Sequence, residues 1–310
     1  MIEVRAYDAD LKDAWNAFNA CARNGHFLFD RGFMEYHADR FADASLMVFE
    51  GDRPVALMPA SREGGAIGSH KGLTFGGLVV DEASTAQALA ILDACAAVWR
   101  QAGADTLTYK ALPWIYHRSP AQEDLYWLFR RDAALARRDV TAAIDYRAPG
   151  RLSGRRSRGA RKAVQGGLHM ARSQNWGAFW RLLEEVLATR HGAAPVHSLA
   201  EIETLARRFP DQIALHVAER DGAIEAGVVM FITPLVAHAQ YIAVGEAGRA
   251  SGALDGLFEH LIGQFAHTHR YFDFGISNTD GGRTLNEGLI RQKEEFGASA
   301  VVHDTYRVAL

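Results

Sequence analysis

Residues 213–276 read IALHVAERDGAIEAGVVMFITPLVAHAQYIAVGEAGRASGALDGLFEHLIGQFAHTHRYFDFGI, and this stretch decides the fold. It opens with two apolar runs, 213–218 and 226–232, joined across Asp221-Gly222, a dipeptide that accepts the positive φ angles of a tight hairpin. A third apolar run at 237–244 continues the sheet. Residues 252–269 then carry apolar side chains at helical spacing, and 271–276 returns to a strand. A hairpin followed by strand, long helix and strand predicts an α/β (α+β) fold with a mixed sheet flanked by helices.

Upstream, 176–190 and 199–208 have helical periodicity, the second ended by Pro210. The first half follows the same order. A strand at 2–7 precedes helices at 10–23 and 31–40, and a hairpin runs 46–49 and 55–58 around Gly51-Asp52. A strand at 73–80, a helix at 86–101 closed by Gly103 and a strand at 106–111 cut by Pro113 complete it. Both halves thus read strand, two helices, hairpin, strand, long helix, strand, with almost no shared residues. A chain of 310 residues suits two domains of roughly 150 each, which we divide as 1–146 and 147–300.

Hydrophobic residues make up 48% and charged residues 23%, an ordinary globular balance. The net charge of −3 supplies no overall field for nucleic acid or an anionic membrane, so phosphate binding needs a local basic patch. The two cysteines, Cys21 and Cys95, lie in predicted helices without ligand spacing, which fits a reducing compartment and two core thiols. The acidic N-terminus has no apolar leader, and no window approaches the ~18 apolar residues of a membrane span. These features predict a cytoplasmic protein. The close pair His267 and His269 has no carboxylate or thiolate company, so no metal is expected.

The patch exists at the junction. Arg147, Arg151, Arg155, Arg156, Arg158, Arg161 and Lys162 are seven cations in the sixteen residues 147–162, with glycines interleaved and no carboxylate. One reading is a solvated linker with a charged helix start. The other is a helix entry that binds a phosphate-bearing small-molecule substrate, because guanidinium forks match phosphate oxygens.

The junction SRGARKAVQGG (157–167) resembles the R-x-x-K/R-K-A-x-x-x-G signature of FemAB/FemX-like transferases and related tandem-GNAT proteins. The run 138–146 looks like that family's strand closing the first domain, and 271–277, 285–289 and KEEFG (293–297) are similar to its last strand and K-x-x-F-G helix end. FLFDRGFMEYHADRF (27–41) and SHKGLTFGG (69–77) look like a branch met beside surface-polysaccharide genes. The resemblance implies two tandem GNAT-like domains, with a strand at 300–310 completing the first. It also implies acyl transfer from acyl-CoA to an amine, a nucleotide-linked amino sugar in surface-glycan biosynthesis being the leading acceptor. Two alternatives stand beside it: aminoacyl transfer from tRNA to a cell-wall precursor, to which the net charge lends little support, and a non-catalytic protein that binds a glycan precursor. The family's R/Q-x-x-G-x-G/A pyrophosphate loop is matched by Arg249, Gly252 and Ala253, but Leu254 replaces its small last residue, and Asp255 adds a competing charge.

Direct attack by an amine needs a base, donors for the oxyanion and an acid for the leaving group. His70, in the loop before LTFGG, is a base or an exposed turn residue. Lys110 ends a strand, where polar tips meet ligands. Tyr241 is the leaving-group acid that the family resemblance implies, or a plain strand residue. Asp273 alternates with Phe272 and Phe274, so it faces away from the core and needs a partner. As substrate contacts we select Tyr116 and His117 after Lys110, His197 before the Ser198–Glu201 capping box, Lys293, and the junction's Arg158, Arg161 and Lys162.

Overall fold

The computed structural model describes residues 2–310, apart from the side chains of residues 190 and 191. It divides into two compact units. One comprises Met1–Asp139, Asp280–Thr284 and Val302–Leu310, and the other Val140–Thr279 and Leu285–Val301.

The first unit runs β1 (Ile2–Ala6), α1 (Lys12–Cys21), α2 (Arg31–Met34), β2 (Ala42–Asp43), β3 (Leu46–Glu50), β4 (Arg53–Met58), β5 (Ser61–Glu63), β6 (Ala66–Gly68), β7 (Val79–Val80), α3 (Thr85–Gln101), β8 (Thr106–Lys110) and α4 (Glu123–Arg130). Its strands form one sheet in the order β1-β3-β4-β7 and a run β8-β6-β5-β2. Helix α3 starts where Ser84 and Gln87 close a capping box. It buries Ala88, Ile91, Leu92, Cys95, Ala96 and Trp99 in the core and stops at Gly103, whose φ is 82°. The helix expected at 31–40 is a single turn, followed by a 3-10 turn over Glu35–His37. The strand expected at 73–80 shrinks to Val79–Val80. Its glycines pull the preceding loop inward: a Cβ at Gly76 would lie 1.8 Å from the Ser69 carbonyl and one at Gly72 2.2 Å from His37. Sequence reading missed β2, β5, β6 and α4. Cys95 is buried, but Cys21 is exposed at the end of α1, which corrects the expectation of two core thiols.

Strand β9 (Ala134–Asp145) carries the chain into the second unit. There follow α5 (Gly154–Gln165), β10 (His169–Ser173), α6 (Trp176–His191), α7 (Leu199–Arg208), β11 (Ile213–Arg220), β12 (Ala223–Ile232), β13 (Val236–Val244), α8 (Glu246–Ser251), α9 (Ala253–Phe265), β14 (Tyr271–Ile276), β15 (Asn278–Thr279), β16 (Thr284–Leu285) and α10 (Glu287–Glu294); β17 (Ser299–Ala309) returns to pair antiparallel with β8 in the first unit. The second unit's sheet is ordered β10-β11-β12-β13-β14-β9. Only the β13–β14 contact is parallel, and a crossover through α8 and α9 makes it. The helix expected at 252–269 is interrupted at its first residue: Gly252, at φ 80°, ends α8, and α9 begins after it. Ala237, Ala239, Phe272 and Phe274 face α9 in one apolar core with Leu257, Phe258 and Leu261. The opposite face of β13 and β14 is left for other side chains.

Candidate active site

The parallel pair β13–β14 is registered at Val236–Tyr271, Ala237–Phe272 and His238–Asp273, and the pairing stops there. Strand β14 bends at Gly275, whose φ is 76°, and slips register against β9 between Asp273 and Ile276. On β13 an extra residue, Gln240, lies between Ala239 and Tyr241 opposite Met230 and Val229 of β12. The two parallel strands therefore part just beyond His238 and Asp273, at their carboxyl ends, where α/β sheets place ligands.

Asp273 is fully buried and faces away from Phe272 and Phe274. Its carboxylate accepts from the Thr141 hydroxyl, from the Gly275 N–H at 3.0 Å and from His238 Nδ1 at 2.9 Å. A carboxylate only accepts, so Nδ1 of His238 carries the proton and Nε2 holds the lone pair. The His238 side chain keeps 13% of its surface exposed. This is a histidine oriented by a buried acid, with its basic nitrogen left for another partner.

Tyr241 lies further along the same face of β13. Its ring meets Trp180 of α6 edge-on at 5.2 Å, and its hydroxyl is 2.5 Å from His197 Nδ1. Lys293, on α10, is buried under the end of β14 and donates to Gly275 O (2.6 Å), Ile276 O (2.8 Å) and Ser277 Oγ (2.8 Å). Burial pushes its ammonium down to about 8 against the pull of Asp273. Three acceptors occupy the three ammonium protons, which makes Lys293 a clamp on the strand end.

In the first unit, Lys110 Nζ donates to His70 O (3.4 Å), Lys71 O (3.2 Å) and Leu73 O (2.7 Å), and burial first, then Arg137 and Lys71, bring it down to about 8. His70 adopts φ 68° and stacks nearly parallel on His37 with centroids 5.4 Å apart. Burial pushes its imidazole down to about 4. Tyr116 packs on Phe75 at 4.9 Å, and His117 Nε2 sits 3.1 Å from Leu112 O. The parallel pair of this unit, β6–β8, is registered Ala66–Thr106, Ile67–Leu107 and Gly68–Thr108. Counted from the first registered pair, Gly68 and Thr108 stand where the second unit has His238 and Asp273.

The junction cations become α5. Arg156 is buried and bridges Asp255 and Glu295, each at 2.7 Å, and Lys162 donates to Ala250 O at 2.7 Å. Arg158 and Arg161 are exposed. Helix α5 packs onto the start of α9 so closely that a Cβ at Gly252 would lie 2.5 Å from the Gly159 carbonyl. Ala253 is fully buried and Asp255 is already paired, while Arg249 projects from the last turn of α8. Helix α5 thus lies directly against Gly252, the residue at which α9 begins.

Of the residues chosen from sequence, the structure pairs Tyr241 with His197 and His70 with Lys110, and places Lys293 beside the strand of Asp273. His238, Thr141 and Ser277 escaped sequence reading. The available signal was the demand of a core-averted Asp273 for a partner, together with a histidine set between Ala237 and Ala239. Among the described residues no group of three or more His, Cys, Asp or Glu is placed to hold a metal, and no helix is long and apolar enough to cross a membrane.

Residues 151–280 match the family described as acetyltransferase (GNAT) domain. No curated protein sequence matches the chain. Among solved structures the chain is similar to FemX, with a TM-score of 0.72 at 12% identity over 99% of this chain and 97% of that one. It is also similar to L-PGS from Bacillus licheniformis, at a TM-score of 0.62 and 12% identity over 96% and 91% of the two chains. A tandem GNAT protein from the clavulanic acid biosynthesis pathway gives a TM-score of 0.53 at 12% identity, over 100% and 98%. Identities this low speak for the fold alone. Residues 151–280 thus match a GNAT acetyltransferase domain, and the chain as a whole has a mixed α/β, GNAT-like fold.

Proposed function

We propose that the protein is an N-acyltransferase that moves an acyl or aminoacyl group onto an amine, with the chemistry in the second unit. The His238–Asp273 pair carries this reading. As the amine nitrogen attacks the donor carbonyl and the C–N bond forms, its proton passes to His238 Nε2. Asp273, held by Thr141 and the Gly275 N–H, stabilises the imidazolium. The tetrahedral oxyanion then expels the thiol or ribose oxygen, which takes a proton from Tyr241. The first unit has no such pair at the equivalent register, which supports assigning the bond-making step to the second.

The donor is an activated carbonyl, a thioester or an ester. The packing of α5 on Gly252 weighs against a CoA pyrophosphate at that helix end and supports an aminoacyl ester, such as that of an aminoacyl-tRNA, as a second donor reading. For the acceptor we favour a nucleotide-linked amino sugar of surface-glycan synthesis, with Arg158 and Arg161 on the phosphates, since both guanidinium groups are exposed on the basic helix. The test is direct: the purified protein is incubated with acyl-CoA thioesters or with charged tRNA, and transfer to a UDP-amino sugar is followed. Transfer from either donor that falls by about a thousandfold in His238→Gln supports the reading. Wild-type turnover in that variant would refute it.

A further inference from the structure

Tyr241 and His197 are 44 positions apart in the chain, and both are buried, at 8% and 7% exposure. Each is fixed by a separate device. The extra residue Gln240 re-aims Tyr241 out of the strand's alternation, as bulges do. His197 stands immediately before Ser198, whose hydroxyl and backbone close a capping box with Glu201 at the start of α7. The phenol oxygen lies 2.5 Å from His197 Nδ1, and the main-chain N–H of His197 also points at it, at 3.4 Å.

One proton must lie between the phenol oxygen and Nδ1, and it has two placements. If the neutral imidazole carries its proton on Nε2, the phenol O–H donates to Nδ1 and is held there. If Nδ1 carries a proton, as it does in the imidazolium, Nδ1–H donates to the phenol oxygen and the phenol O–H is released to turn. Among the described contacts, α6 supplies the Trp180 ring and β12 supplies Val229 opposite Tyr241. On β13 the other titratable group of this face is His238, held by Asp273 of β14, and on α7 Glu201 is engaged by Ser198.

We propose that His197 is a positioning residue that holds and resupplies the proton of Tyr241. The inference rests on the proposed role of Tyr241 as leaving-group acid. As the bond from carbonyl carbon to leaving sulfur or oxygen breaks, its electron pair stays on the leaving atom, which takes the phenol proton. The Nδ1–H proton of the imidazolium passes to the phenolate oxygen. His197 ends neutral and regains a proton from water.

The experiment uses the full chain without substrate. Ring nitrogens of 15N-histidine are followed through pH in wild type and Tyr241→Phe, with thermal melts to confirm folding. We expect Nδ1 to be the unprotonated nitrogen of neutral His197, and its proton affinity to change by about threefold or more in Tyr241→Phe, roughly half a pH unit. A His197 titration and tautomer indifferent to the loss of the phenol overturns the proposal. With acetyl-CoA or aminoacyl-tRNA as donor, Tyr241→Phe and His197→Phe should each slow transfer, and the double variant should be no slower than Tyr241→Phe. His197→Gln, whose amide can still donate to the phenol oxygen, should recover part of the rate. Losses that simply add overturn the proposal while leaving the His238-based function standing. A normal rate in His238→Gln would remove that function, and the histidine spectra would still report on the pair.

Discussion

At the residue scale, burial decides what each polar group can do. Tyr109 and Asp124 show this away from the candidate site. The phenol of Tyr109, fully buried, donates to Asp124 at 2.7 Å and accepts from the Leu78 N–H at 2.8 Å. Burial raises the Asp124 carboxyl from 3.8 to about 6, against the hydrogen bonds from Tyr109 and Leu125 that favour its ionised form. The folded value exceeds the unfolded one, so this group's stabilising contribution is complete below pH ~4 and is lost as pH rises through ~6, a change of about 3 kcal/mol. Asp124→Asn should remove this decline, and urea denaturation at a series of pH values measures it. Lys293 gives the complementary case. Lys293→Met strips donors from two carbonyls and the Ser277 hydroxyl at the end of β14. We expect a loss of about 2–4 kcal/mol in chemical denaturation, because buried acceptors are left unsatisfied.

At the element scale, α5 has two kinds of cation. Arg156 and Lys162 hold the helix to α9, to Glu295 and to the end of α8, so their charge is structural. Arg158 and Arg161 are exposed, and in the proposed reading they meet the phosphates of the acceptor. Changing both to Ala should leave the melting temperature nearly unaltered and weaken a UDP-amino sugar by about 1–3 kcal/mol per lost charged hydrogen bond. The difference from wild type should shrink as salt is added, since exposed charges are screened. Equal affinity at low salt would reduce the two arginines to solvated surface. Gly252 behaves in the opposite way. Its left-handed φ and the Gly159 carbonyl both exclude a side chain, so Gly252→Ala should destabilise by about 1–3 kcal/mol, read in the same melts. A variant that melts like wild type would show that α5 can withdraw from this end of α9.

At the scale of the whole molecule, the two units differ in their reactive groups. Among the described residues, each has one parallel pair of strands, and the second alone places His and Asp opposite each other there. In the first unit the corresponding loop is closed by Lys110 on three carbonyls. Asp273→Asn should therefore lower turnover by at least about a hundredfold with little change in stability. Lys110→Met should show the reverse, a lower melting temperature and a turnover close to wild type. Loss of turnover in both variants would assign chemistry to both units.

Periodicity and turn chemistry were enough to predict most elements. Helices α3 and α7 announce themselves through apolar stripes and capping residues, and the hairpins through Gly51-Asp52 and Asp221-Gly222, because those signals act within a few residues of chain. The alternation of Phe272, Asp273 and Phe274 likewise shows that a carboxylate leaves the core. Nothing local says what meets it. His238 is 35 positions away and Thr141 is 132, and both reach Asp273 only because β13 and β9 lie on either side of β14 in a definite register. The stretch 73–80 reads as a strand, yet only Val79–Val80 pairs, because Gly72 and Gly76 let the preceding chain approach His37 and the Ser69 carbonyl. The seven junction cations look alike as letters. Only the carboxylates of Asp255 and Glu295, brought beside α5 by tertiary packing, separate Arg156 from its exposed neighbours, since the energy of an ion pair depends on distance and burial, which sequence spacing does not encode.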